Sequence, residues 1–262
     1  MGVTVSILGS GSKGNATFIK TDRARLIIDA GFSRKELGAR LEAIGQAPDG
    51  IDAVLITHEH ADHVSALKGL LKELPIQAYM TWGTIRALGA ENFELNGSTI
   101  VPIQAGAPFM VGDVEVFPFQ VPHDAAEPVA FRLRAQGVQV SQLTDVGHFS
   151  DAVAENLQGA DVLILESNHD LEMLRHGPYP WNLKQRLLGR FGHLSNTAVG
   201  RFIYDQFDGR AEHLLLAHLS LRNNHPELAR HEALRALQRK GFVKTRLNVT
   251  GQDVPGQPIH LG

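Results

Sequence analysis

Six short apolar runs in this chain each lead directly into a residue able to bind a metal or carry a proton. Leu26-Ile27-Ile28 leads to Asp29, Val54-Leu55-Ile56-Thr57 to His58, and Phe119-Gln120-Val121-Pro122 to His123. Ser141-Gln142-Leu143-Thr144 leads to Asp145, Leu163-Ile164-Leu165 to Glu166, and Leu214-Leu215-Leu216-Ala217 to His218. Aliphatic runs of this length read as strands. In open α/β sheets, functional groups collect beyond the carboxyl ends of strands. Six such endings therefore predict one shared polar rim.

The same patterning predicts strands over Val3–Leu8, Leu26–Ile28, Ala53–Ile56, Val114–Val121, Val138–Leu143, Val162–Leu165 and Leu214–Leu216. Val64, Leu67, Leu70, Leu71 and Leu74 share one helical face that Pro75 ends. Ser195 caps a second predicted helix through Phe207, and Pro226 opens a third to about Lys240. Gly112-Asp113 and Gln136-Gly137 read as hairpin turns, so part of the sheet is antiparallel. Mixed sheets flanked by helices make a layered α/β sandwich. With 262 residues and no linker-like stretch or repeat, a single domain over residues 1–262 is expected.

Composition narrows the chemistry. The chain has no cysteine, which excludes disulfides, thiol catalysis and zinc–thiolate sites. Lys and Arg number 25 against 28 for Asp and Glu, so any nucleic-acid binding needs a local basic patch. No run approaches a membrane span. The N-terminal Met1-Gly2-Val3-Thr4-Val5-Ser6 fits an acylation pattern, but it is read as the start of the first strand. A soluble, cytoplasmic protein without membrane contact is expected.

The sharpest local signal is Thr57-His58-Glu59-His60-Ala61-Asp62-His63. On an extended segment His58 and His60 point to the same side. As the chain turns into the following helix, Asp62 and His63 can face a second position. Imidazole nitrogens with one carboxylate suit zinc, iron or manganese rather than calcium. A merely polar loop would concentrate four such groups at a strand end at a high desolvation cost.

This stretch resembles the HxHxDH signature of the metallo-β-lactamase superfamily, and the later strand-end residues match its remaining motifs in order. The resemblance implies an αββα four-layer sandwich of two mixed sheets flanked by helices, holding two divalent metal ions (Zn²⁺ or Mn²⁺). It implies that His58, His60 and His123 hold the first ion, and that Asp62, His63 and His218 hold the second. Asp145 would bridge the two, and Asp29 would support the ligand shell without binding metal. Two cations about 3.5–4 Å apart can share a hydroxide and stabilise the attacking and leaving oxygens of a displacement. Asp62 would help hold that hydroxide.

Three features lean towards phosphodiesters. Gly192-His193-Leu194-Ser195-Asn196 resembles the GHST segment of tRNase Z-type nucleases, where a histidine before a helix binds phosphate or protonates a leaving oxygen. An ordinary histidine before a cap is the plainer reading of His193. His218-Leu219-Ser220-Leu221-Arg222-Asn223-Asn224 resembles the HxSxR segment of the same nucleases, with Arg222 and Asn223 as phosphate contacts. For Arg222 the alternative is a surface salt bridge. Ser10-Gly11-Ser12-Lys13-Gly14-Asn15 is a glycine-containing loop that permits close approach to a ligand, with Ser12 and Asn15 as candidate substrate contacts.

That loop, together with Thr144-Asp145-Val146-Gly147-His148 and Glu166-Ser167-Asn168-His169, resembles the YycJ (WalJ) branch of the superfamily, associated with exonuclease activity on DNA. His148 stands where members of that branch often carry Tyr. Glu166 and Asn168 read as residues that orient ligating histidines. His169 either faces substrate or hydrogen-bonds the backbone.

Lys184, Arg186, Arg190 and Arg201 are candidates for a positive groove, with Trp181 and Tyr179 as base-stacking candidates. A solvated surface, or a core edge plugged by Trp181, is the competing expectation. His176, His213, His225, His231 and His260 read as surface or packing residues. The Asp145-to-His218 stretch is too short for the insertion that clamps nucleic acid in β-CASP nucleases, which predicts an open groove. The leading expectation is a dinuclear hydrolase cleaving phosphodiesters, a DNA or RNA exonuclease with nucleic acid as substrate. The alternative is a small cyclic phosphodiesterase, with lactone or thioester hydrolysis further off. A non-catalytic metal-holding protein would be expected to have lost ligand positions that this chain keeps.

Overall fold

A computed structural model describes residues 2–262, so Met1 lies outside the described residues. Among them, fourteen strands form two mixed sheets of seven, accompanied by helices. The chain divides into two compact units. One comprises the residues up to Gln120 with Ala125–Val138 and Gly251–Gly262; the other comprises Val121–Asp124 and Gln139–Thr250.

In the first unit, β1 (Val3–Gly9), β2 (Ala16–Lys20) and β3 (Arg25–Ile28) form an antiparallel meander. The C-terminal strand Ile259–Leu261 pairs antiparallel with β1. α1 (Arg34–Ala43) then leads to β4 (Ala53–Leu55), which pairs parallel with β3. The three residues of β4 are all buried, as expected where helices cover a parallel strand. Leu37 and Leu41 of α1 enter the same apolar core as Ile27 and Val54.

The expected helix through Val64–Leu74 is two helices, α2 (Ala61–Val64) and α3 (Leu67–Glu73). The break has a local cause. The Ala66 N–H donates to Ala30 O at 2.8 Å instead of continuing the helical ladder. Leu67, Leu70 and Leu71 still bury on one face, and the helix ends before Pro75 as its fixed ring requires.

β5 (Gln77–Thr81), α4 (Trp82–Leu88) and β6 (Thr99–Ile103) complete that sheet. β7 (Phe109–Val111), β8 (Val114–Gln120) and β9 (Val129–Ala135) form antiparallel hairpins, with Gly112-Asp113 as the first turn. Strands β2, β5, β6, β7 and β9 went unread in the sequence, as did Arg246–Val249 and the C-terminal Ile259–Leu261.

In the second unit, β10 (Val138–Leu143), β11 (Val162–Glu166), β12 (His213–Ala217) and β13 (Arg246–Val249) run parallel. Their register brings chemistry together. Leu143 pairs with Leu165, and Leu165 with Leu216. Asp145, Glu166 and His218 therefore leave three adjacent strands at the same end. α5 (Asp151–Leu157), α6 (Leu171–His176) and α7 (Trp181–Leu188) follow in sequence. α8 (Asn196–Asp205) has Ser195 as its cap, its hydroxyl accepting from the Ala198 N–H, and stops two residues short of Phe207. α9 (Pro226–Lys240) opens on Pro226 and closes on Gly241. No helix of the described residues is long and apolar enough to cross a membrane.

Candidate metal centre

The first half-site lies beyond β3 and β4. Asp29 is fully buried, and its carboxylate accepts from both the backbone N–H and the hydroxyl of Thr57. Because that hydroxyl donates to Asp29, its oxygen is left to accept from His58 Nδ1, 2.9 Å away. His63 Nδ1 lies 2.8 Å from Asp29 Oδ2. Burial pushes the Asp29 carboxyl above its ordinary value, against the pull of His63 and Thr57. Both histidines are thus held through Nδ1 and present Nε2. The His60 ring sits edge-on to His58 at 4.5 Å, and Asp62 Oδ2 is 3.6 Å from His63 Nε2.

Asn15 belongs to this half-site in a way the sequence did not reveal. Its Oδ1 accepts from the Ser10 hydroxyl and the Gly11 N–H, while its Nδ2 reaches Asp62 Oδ2 at 3.3 Å and His63 Nε2 at 3.1 Å. Read as a substrate contact, it is instead buried and engaged by the ligand loop, because a short carboxamide there satisfies two loops at once. Ser12 of the same loop is exposed. Gly31 backs the arrangement. A Cβ at that position would overlap the Asp62 carbonyl, so the Asp62 backbone lies directly on bare main chain.

The second half-site gathers Asp145, Glu166, His193 and His218, whose ligand atoms lie within 4.8 Å of one another. Glu166 Oε1 is 2.7 Å from His193 Nδ1 and 3.0 Å from His218 Nδ1. Its Oε2 accepts from the N–H groups of Val146 and Leu194. Four partners occupy this carboxylate, which suits it to orienting imidazoles rather than to ligating. Burial alone would raise its pKa, but the charge and hydrogen bonds of His193 and His218 bring it down to about 2. For His193, burial works against the charged form, yet the carboxylates of Glu166 and Asp145 outweigh it and raise its pKa.

Asn168 Nδ2 donates to His218 O at 3.0 Å. His123 Nδ1 is 3.2 Å from Gly192 O, and His218 Nε2 is 3.5 Å from Asp145 Oδ1. Gly147 packs so tightly on the Arg190 carbonyl that a Cβ could not fit, which fixes the loop entering His193.

Three residues of these half-sites carry left-handed backbone: Asp29 at φ 60°, Asp145 at 58° and His218 at 56°. The other non-glycine residue with positive φ among those described is Gln136, in a hairpin turn. For a residue with Cβ this conformation costs about 1 kcal/mol or more, and here it recurs at strand ends that carry site residues.

Several other expectations land elsewhere. Asn223 is fully buried, with no hydrogen-bond partner for its side chain, so it lines no groove. Arg222 is exposed. His169 is buried, neither ring nitrogen meets a partner, and burial lowers its pKa to about 4; its ring therefore bonds no backbone group. Lys184 is buried and donates to Arg175 O, which removes it from a groove. Arg186 pairs with Asp124, Trp181 is exposed rather than plugging a core edge, and His148 Nδ1 lies 3.1 Å from Arg190 O. His225 caps α9, His176 meets Glu172, His213 is buried beside Glu212, and His260 bonds Thr4.

The donor set fits divalent metal: imidazoles fixed through Nδ1 by Thr57, Asp29, a backbone carbonyl or Glu166, with a carboxylate beside Nε2 of His63, His123 and His218. Residues 24–219 match the model of the beta-lactamase superfamily domain, a stretch that includes residues of both units. The chain belongs to this superfamily and is a metal-dependent hydrolase of it.

Within the superfamily, it is 37% identical over 245 residues to the exodeoxyribonuclease YycJ of Bacillus anthracis, covering 92% of each chain. It is 36% identical over 231 residues to the exodeoxyribonuclease WalJ of Streptococcus pneumoniae serotype 2, covering 87% of this chain and 86% of the relative. Among solved structures, the metallo-beta-lactamase fold protein YhfI from Bacillus subtilis superposes with a TM-score of 0.76 at 19% identity, over 99% of this chain and 100% of that one.

Proposed function

We propose that this chain is a DNA exonuclease that uses two divalent cations, Zn²⁺ or Mn²⁺. By the superfamily resemblance His58, His60 and His123 would hold one ion and Asp62, His63 and His218 the other, with Asp145 as a further carboxylate ligand. When bound, such a pair supplies an activated water and neutralises charge developing on a phosphodiester. The carrying observation is the anchoring of His58, His63, His123 and His218 through Nδ1, which turns each Nε2 away from the anchoring group and towards a ligating role. The likeness to relatives named exodeoxyribonucleases supports DNA as the substrate.

The chain's own residues then divide the work. Asn15 fixes Asp62 and His63. Glu166 takes the Nδ1 proton of His193 as a hydrogen bond and favours its charged form. The Nε2–H of His193 is thereby kept to protonate the departing oxygen. Ser12 and Arg222 are proposed to meet the substrate from exposed positions.

The test compares purified protein with Mn²⁺ or Zn²⁺ on end-labelled single-stranded DNA and on bis-p-nitrophenyl phosphate. Progressive shortening of the DNA from one end is expected, with chelator abolishing it. Cleavage of the small diester alone would overturn the nuclease reading.

A further inference from the structure

Two cavities in the second unit lie side by side along α8. The first, about 360 Å³, begins at Gly147 and His148 beside Asp145, and at Leu194 and Ser195 beside His193. The second, about 170 Å³, lies where α8 faces α9 and is lined by Arg235 and Arg239. They share Thr197, Arg201 and Asp205. These three stand at successive turns of α8, so the two cavities flank one ridge and together make a furrow that follows α8 from residues next in sequence to those of the half-site. Ten residues of helix at 1.5 Å each make it about 15 Å long, which exceeds what a single mononucleotide would fill.

Its electrostatics favour an anion. Arg201, Arg235 and Arg239 are exposed, and no ion pair ties them to Asp205 or Glu232 in the same furrow. Three guanidinium groups face two carboxylates, so the furrow is net positive although the chain as a whole is net negative. Tyr204 is part-exposed, with the Arg239 guanidinium 4.6 Å and the Lys240 ammonium 5.0 Å from its ring centre. An aromatic face flanked by cations is how sequence-tolerant single-strand sites are built.

We propose that a single-stranded polynucleotide leaving the catalytic rim runs along α8, its phosphates meeting Arg201 and then Arg235 and Arg239, with Tyr204 stacking a base. This rests on the DNA-exonuclease reading above and adds that the strand is engaged several nucleotides from the bond that breaks. A small cyclic diester would have no use for the far end of the furrow.

Arg235→Glu/Arg239→Glu changes only exposed side chains without ion pairs. Its KM for a long single strand should rise about tenfold or more, and the salt slope of binding should become shallower by about 1.4, at roughly 0.7 per phosphate contact. Turnover of bis-p-nitrophenyl phosphate reports whether the fold and the metals survive. Unchanged KM and slope, with DNA still cleaved by the parent protein, would overturn the furrow and leave the nuclease reading standing. A parent protein that cleaves only the small diester would instead overturn the nuclease reading. Should the double variant fold poorly, the parent protein decides alone. A single strand carrying 5-iododeoxyuridine is expected to cross-link to Tyr204 on irradiation, and cross-links confined to other segments would overturn the assignment.

Discussion

Nδ1 of His193 lies 2.7 Å from Oε1 of Glu166, a buried pair whose partners are 27 residues apart in the chain. The same oxygen is 3.0 Å from His218 Nδ1, so one carboxylate sets both a candidate proton donor and a candidate ligand. Glu166→Gln keeps the shape and removes the charge. Activity on DNA should fall about 10- to 100-fold, and the alkaline limb of the rate profile should move to lower pH as His193 loses its proton more readily. A rate profile superimposable on the parent's would remove Glu166 from this role.

His193 itself is tested by leaving groups. A DNA alkoxide needs protonation, whereas nitrophenolate does not. His193→Ala should therefore slow DNA cleavage about 10²- to 10⁴-fold and hydrolysis of bis-p-nitrophenyl phosphate far less. Equal losses on both substrates would point to phosphate binding instead.

Asn15→Ala separates positioning from substrate contact. Because the carboxamide reaches Asp62 and His63, metal affinity measured by titration calorimetry should weaken about 10- to 100-fold. Full metal content with a raised KM would return Asn15 to the substrate-contact reading.

Acid unfolding of the metal-free protein carries the signature of the Glu166 pair. Glu166 is held at about 2, below its ordinary 4.5, so its contribution is complete above 4.5 and is lost as pH falls towards about 2. His193 is raised above its ordinary 6.5, so its contribution is complete below 6.5 and fades as pH rises through the folded value. Between those pH values both groups are charged and the pair contributes most. Denaturant titrations across pH should show Glu166→Gln losing this dependence at both ends.

Backbone strain can be read by substitution at Asp145. With φ at 58°, Asp145→Gly relieves what Asp145→Ala retains. The glycine variant of the metal-free protein should be more stable than the alanine variant by about 1 kcal/mol. The reverse order in chemical denaturation would argue against the left-handed conformation.

Much of the site was legible because strand ends are a local signal. Asp29, His58, Asp145, Glu166 and His218 each follow an apolar run, and parallel register aligns the last three. What escaped was non-local or conformational. No spacing rule tells which histidines a buried carboxylate such as Glu166 will grip, or that Asn15 will turn inward to Asp62. The left-handed bends leave no mark in residue type, since Asp, Asn and His tolerate them better than other side chains and occupy other positions for other reasons. The run after His218 was expected to offer Asn223 as a phosphate contact, yet Asn223 and its neighbour Asn224 are buried. The split between α2 and α3 depends on Ala30 capturing one amide.

Gly31 lies two residues past Asp29, with no side chain and no charge, and the carbonyl of Asp62 rests where its first carbon would be. Placing even a methyl group there would lever a carboxylate away from its neighbours while every histidine stayed intact. Such a chain would pass any motif search and yet be silent as a catalyst. Descendants that keep the full set of donors but replace this one position are therefore where idle copies of the enzyme should be sought.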